Sequence, residues 1–226
     1  MKAPLRARKQ RDKERRRLAL LDAARELFMH HGYHGTTIEM ITEKAGVGTG
    51  TFYLYFSAKS DLYKSFQDEG IDILTGMITE AVADPTLSTR KKVSAAARAY
   101  LDFYRIQREY FDFIALMVLE GQDELREQES EIGRIIDEKT LGLLRLIENI
   151  FIEGIEKGEC RKIDPFAAGM VFWAMIDGMI LMQERDNLRV AGIDLERMIQ
   201  TGLSTLLDGV LIVPSRGTAA RVGVGE

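Results

Sequence analysis

Apolar residues recur at three- and four-residue spacing along almost the whole chain, and no stretch alternates with period two, so the pattern predicts an all-α protein. Leu20, Leu21, Ala24, Leu27 and Phe28 describe an amphipathic helix from about Arg17 to His31. Ile38, Ile41 and Ala45 mark a short second helix, and Phe52 and Phe56, four apart, bury one face of a third. Longer helices follow. Asp61–Ala83 is stopped by Pro85, and Thr89–Gln107 sets Val93, Ala96, Tyr100, Phe103 and Tyr104 on one face. Tyr110–Leu119 is apolar almost all round, whereas Asp123–Lys157 is amphipathic with an acidic start facing solvent. Asp164 followed by Pro165 is a helix start, and the run from Phe166 to Met182 has Asp177 as its sole charge. That run would reach about 26 Å, the lower edge of a membrane span. The charge at its middle and the acidic flank predict instead a helix buried on all sides, with no membrane partner. A last helix covers about Leu195 to Leu211, for about nine in all.

The short helices near the N-terminus carry the most specific punctuation. Thr36 with Glu39 forms a capping box that starts one helix, and Gly46 ends it, since glycine turns left-handed without steric cost. Two helices joined by a glycine turn form a helix-turn-helix, whose second helix enters a DNA major groove. Thr49, Gly50, Tyr53 and Leu54 then point outward. The segment TTIEMITEKAGVGTGTFYLYFSAKSDLY resembles the signature of the tetracycline-repressor (TetR) family of bacterial regulators. The resemblance covers about the first sixty residues. It rests on Thr36–Thr37, the turn Ala45–Gly46–Val47, the recognition helix Thr51–Tyr53–Tyr55–Phe56, and Lys59 and Leu62 in the fourth helix. Where the family commonly carries Ser and then a basic residue, this chain has Gly48 and Thr49, so the usual cation is missing.

Charge divides the chain in the same place. Residues 1–60 hold 12 Lys or Arg against 6 Asp or Glu, whereas the rest holds 19 against 29. A basic head on an acidic body implies that the head meets a polyanion. Residues 1–17 alone carry nine bases against Asp12 and Glu14, either as a solvated, mobile tail or as an arm tracking a DNA backbone or minor groove. Ser57 caps the next helix and sets Lys59 in its first turn, where lysine and helix end together bind phosphate. Tyr53 and Tyr55 offer hydroxyls to phosphate oxygens or pack between helices. The expected interface with double-stranded DNA is Thr36, Thr37, Tyr53, Tyr55 and Lys59 on phosphates, with Thr49, Gly50 and Thr51 facing bases.

Other chemistry is poorly supplied. His30, His31 and His34 lack a fourth ligand at suitable spacing, so no metal is expected. Gly46, Gly48 and Gly50 match neither nucleotide-loop spacing, and no cofactor is expected. All three histidines lie in the head, and no HExxH or GxSxG occurs, which argues against an enzyme. A lone cysteine, Cys160, and a charged first helix predict a cytoplasmic protein.

The last two helices, about 165–185 and 195–211, are apolar beyond the needs of one small body, which predicts a homodimer on a palindromic operator. In TetR-like proteins the same pair forms a four-helix dimer contact. The resemblance also implies a pocket for a small-molecule effector among the middle helices. Candidate lining is Phe103, Tyr104, Phe113, Met117, Trp173, Met175 and Met179, which otherwise are core. Asp112 and Asp177 would anchor a ligand or pair with a base such as Arg98 or Arg105. The expected division is a basic disordered arm over 1–17, a three-helix helix-turn-helix DNA-binding domain over 18–60, a larger helical ligand-binding and dimerisation domain over 61–212, and a disordered tail over 213–226. The function expected is a sequence-specific transcriptional regulator, a repressor relieved by a small apolar or amphipathic molecule. A non-specific DNA-binding or structural helical dimer is the alternative.

Overall fold

The computed structural model describes the backbone of residues 3–119, 130–183, 192 and 194–212, with side chains for the same residues except 3–7 and 116–119. Among them are nine helices: α1 Ala3–Gly35, α2 Ile38–Lys44, α3 Thr49–Phe52, α4 Lys59–Ala81, α5 Thr89–Ile106, α6 Arg108–Leu119, α7 Glu131–Glu156, α8 Pro165–Gln183 and α9 Leu195–Val210. No strand occurs among the described residues, and the all-α expectation is met. The tail expected over 213–226 lies outside them, as do residues 120–129, most of the acidic start predicted for the 123–157 helix.

The basic stretch is helical, not a disordered arm. Alanine, leucine, arginine, lysine and glutamate favour helix, and Pro4 sits in the first turn, where a missing N–H costs nothing. Asp12 pairs with Arg15 at 3.6 Å and Glu14 with Arg17 at 3.7 Å, one turn apart. The helix kinks at Gly32, whose φ of 69° an L side chain would resist.

The chain forms two compact units, which do not follow a linear split near residue 60. The first comprises Met1–Met77 and Tyr100–Leu143, the second Ile78–Ala99 and Leu144–Glu226. Phe28 of α1 is the hub of the first. Its ring meets Tyr33 at 5.9 Å, Tyr63 at 5.3 Å, Phe66 at 6.4 Å and Phe113 of α6 at 6.4 Å. Phe113 also stacks on Phe66 at 4.7 Å, and its carbonyl accepts from the Gln67 side chain at 2.9 Å and the Tyr63 hydroxyl at 3.3 Å. Arg25 adds a polar tie at the rim, lying over the Phe66 and Tyr110 rings and donating to the Tyr110 hydroxyl at 3.2 Å.

In the second unit α9 packs on α8, with Gly202 against Met175 and Met179, while Leu195, Ile199, Leu203 and Leu207 of α9 and Phe172, Ile176 and Ile180 of α8 are buried. The α8 sequence predicts burial all round, yet Phe166, Met170, Val171 and Met182 are exposed. A helix apolar on every side has more apolar surface than its neighbours in one chain cover. By length and composition α8 is also long and apolar enough to cross a membrane.

The start of α5 is held by acidic partners. The Thr89 backbone N–H donates to Glu159 at 2.6 Å, and Lys92 reaches Glu153 at 2.7 Å. Hydrogen bonds from Thr89 hold the Glu159 carboxyl below its ordinary range. Gly154 lies against this corner, and a Cβ there would sit 2.5 Å from the Thr89 Oγ1 and 2.7 Å from the Cys160 Sγ. Threonine is stiff at χ1 and cannot swing clear. Gly154→Ala should therefore cost about 1–3 kcal/mol. Gly142→Ala, in the same helix with nothing within 4 Å of its Cβ, should stabilise by about 0.5–1 kcal/mol. Denaturant midpoints moving in opposite directions would bear this out; a harmless Gly154→Ala would show that the corner yields.

Candidate nucleic-acid interface

Two short helices and one turn make the candidate surface. The α2 helix is capped by Thr37, not Thr36: the Thr37 hydroxyl accepts from the Met40 backbone N–H at 3.2 Å. Its own backbone N–H and the Thr37 hydroxyl hold the Glu39 carboxyl below the usual range. At the other end Gly46, with φ of 67°, donates to the Glu43 carbonyl at 3.0 Å, and Val47 reaches the Thr42 carbonyl at 3.0 Å. This pair of bonds closes the helix in a left-handed glycine cap, as the sequence predicts.

The chain then re-enters helix at Thr49. After Phe52 it tightens, with Leu54 N–H bonded to the Thr51 carbonyl at 3.2 Å and Tyr55 N–H to the Phe52 carbonyl at 2.9 Å. Phe52 and Phe56 go into the core beside Leu20, Ala24 and Ile41. What remains outside is Gly48, Thr49, Gly50, Tyr53 and Leu54, with Thr51 and Tyr55 half-buried. Tyr53 is 57% exposed and Leu54 72%. Arg17 of α1 lies over the Phe56 ring at 5.9 Å, which fixes the end of the basic stretch beside this surface.

Two expected phosphate contacts are placed elsewhere. Thr36 is 0% exposed, and its hydroxyl donates back to the Gly32 carbonyl at 2.8 Å. It closes the kink of α1 and cannot reach a ligand. Lys59 does open α4, but its ammonium donates to the Tyr33 carbonyl at 2.7 Å and the Thr36 carbonyl at 2.8 Å, 4.1 Å from the centre of the Tyr33 ring. It pins the end of α1 to the start of α4. No local signal announces either role, because Lys59 finds its partners 26 and 23 residues away. The structure adds Leu54 to the surface as a large exposed side chain, whose outward position the Phe52–Phe56 spacing does predict.

The candidate effector residues divide. Phe103, Tyr104, Asp112 and Phe113 belong to the first unit, and Trp173 and Asp177 to the second. Phe113 is core, as described, and Phe103 is buried. Asp112 pairs with Arg108 one turn earlier at 2.9 Å, and Arg108 also reaches the Tyr104 hydroxyl at 3.2 Å, so neither Arg98 nor Arg105 is needed to neutralise it. Trp173, Met175, Asp177 and Met179 are half-buried on α8. The Met117 side chain lies outside the described residues.

Known proteins share this head. Residues 20–66 match the family model of bacterial regulatory proteins of the tetR family. The chain is 26% identical over 197 residues to a fatty acid metabolism regulator protein of Bacillus subtilis (strain 168), covering 85% of this chain and 94% of that one. Over 91 residues it is 34% identical to the HTH-type transcriptional activator FasR of Mycolicibacterium smegmatis, covering 40% of this chain and 41% of that one. Among solved structures, the transcriptional regulator FadR from Bacillus subtilis in complex with stearoyl-CoA superposes with a TM-score of 0.65 at 25% identity, over 85% of this chain and 98% of that one. With the capped α2, the glycine turn and the outward face of α3 in place, residues 20–66 form a head of the kind found in bacterial regulatory proteins of the tetR family, and the chain is a DNA-binding transcriptional regulator.

Proposed function

We propose that the chain is a repressor that acts as a homodimer on a palindromic operator and is released by a small amphipathic molecule bearing a long acyl chain. The observation that carries this reading is the likeness, over almost its whole length, to a fatty acid metabolism regulator protein. The FadR structure holding stearoyl-CoA supports the same effector class. In the head, Thr37, Tyr53 and Tyr55 would supply hydroxyls to phosphates, while Thr49, Gly50 and Thr51 face bases. The cations of α1 from Arg8 to Arg16, all exposed, supply the positive charge that Lys59 uses within the protein. The exposed apolar residues of α8 support pairing of two copies through α8 and α9. A two-fold dimer would present two reading elements to half-sites about 34–36 Å apart. In the body, Trp173 and Asp177 remain the candidates closest to effector chemistry, an aromatic wall and a carboxylate. Such a protein works in the cytoplasm, where both operator and acyl-CoA are found.

The test is a titration of the full chain against DNA upstream of its own coding region and against scrambled duplex, at two salt concentrations, with and without stearoyl-CoA. Preference for the upstream DNA by about 10³ or more, abolished on adding stearoyl-CoA, is expected. Equal and steeply salt-dependent binding to both duplexes would favour a non-specific DNA-binding protein. Tighter binding with stearoyl-CoA would overturn release by the effector.

A further inference from the structure

The reading element carries an unusual restriction. Between Lys44 and Lys59 the chain contains no Arg, Lys, His, Asp, Glu, Asn or Gln. Sequence is read in the major groove by a small set of side chains. Arg or Lys pairs with guanine, Asn or Gln with adenine, Asp or Glu with cytosine, and apolar groups meet the thymine methyl. Three of those four routes are closed to this stretch. Threonine hydroxyls bond to more than one base and discriminate weakly. What the surface does offer is Leu54, 72% exposed on a hydrogen-bonded turn and next to Tyr53 in the chain, with Thr49 also exposed. Its neighbours Phe52 and Phe56 are drawn inward, so Leu54 is held out by the same turn that buries them.

We propose that this element recognises thymines through their 5-methyl groups, with Leu54 as the side chain that determines specificity. The inference rests on the reading of α2 and α3 as the DNA-facing surface. The thymine methyl is the one apolar group on any base edge in the major groove. Docking Leu54 against it removes from water an apolar side chain that the protein alone leaves exposed. The operator half-site is accordingly one in which thymines, not guanines, face the recognition turn.

A pool of duplexes with a randomised centre, selected on the full chain, supplies the probe. In the selected site each thymine is then replaced by deoxyuridine, which removes the methyl and leaves every hydrogen-bonding group in place. Each contacted position should weaken binding about fourfold, the worth of one buried methyl-sized group. In Leu54→Ala one of those effects should disappear, with the melting midpoint unchanged because so exposed a side chain contributes little to the core. A selected site whose binding survives complete replacement by deoxyuridine, or whose discrimination lies at guanines, overturns thymine reading and leaves the DNA-binding head intact. A pool that yields no common sequence overturns the head's role in sequence reading, and this inference with it.

Discussion

Phe28→Ala is expected to destabilise the chain by about 3–5 kcal/mol, the usual cost of emptying a phenylalanine site in a packed core. Few positions here join as many elements. Phe28 is buried and touches four rings, three of them edge-on, the geometry in which aromatic pairs gain beyond their buried area. Those rings come from the kinked end of α1, from α4 and from α6, so the cavity left by alanine cannot be closed by moving one helix. The expected readout is a fall in melting midpoint of roughly 6–20 °C for a chain of this length. DNA binding should fail with it, because Ile41 and Phe52, which seat α2 and α3, belong to the same core. A variant that melts within about 2 °C of the parent would show that the cluster repacks.

Lys59→Met is the second large effect. Removing the ammonium while keeping most of the stem takes away two charge-assisted bonds to the Tyr33 and Thr36 carbonyls and leaves those carbonyls short of a donor. Bonds to a charged group contribute about 1.5–3 kcal/mol each, and Lys59 is half-buried, so a destabilisation of about 2–3 kcal/mol is expected for the pair. The sequence alone suggests a different outcome, weaker binding to every duplex and a salt slope flattened by about one unit. The two are separable: the internal role predicts a lower midpoint with an unchanged slope of log K against log salt. A normal midpoint with a flatter slope would return Lys59 to the DNA.

What is legible in the sequence is what neighbours within a turn or two determine. Gly46 closes α2 because only the residues from Thr42 to Val47 take part, and Phe52 and Phe56 declare their face by spacing alone. Thr36 and Thr37 show the limit of local reading. Either can cap a helix, and the role falls to Thr37 because the Gly32 kink offers Thr36 a carbonyl and a buried place. Lys59 and Phe113 show the limit of distance, since their partners lie tens of residues away. The candidate effector set mixes residues of two compact units for the same reason, as an aromatic stripe does not say which core it enters. Charge alone misleads over the basic stretch, although its composition, free of glycine up to Gly32, favours helix.

The presence of Phe113 among the rings of α1 and α4 bears on how such regulators can be rebuilt. Residues 20–66 match the family as a continuous segment, which invites their use as an interchangeable cassette. Physically the cassette is unfinished: it omits a ring that stacks at 4.7 Å on Phe66, and a carbonyl that accepts from Tyr63 within it and from Gln67 just beyond its end. Grafted onto a foreign body, it would keep the recognition turn intact and still lack a wall. A chimaera should keep α6 with its native head, because a seam at residue 66 divides a compact unit that takes in Tyr100–Leu143 as well as Met1–Met77.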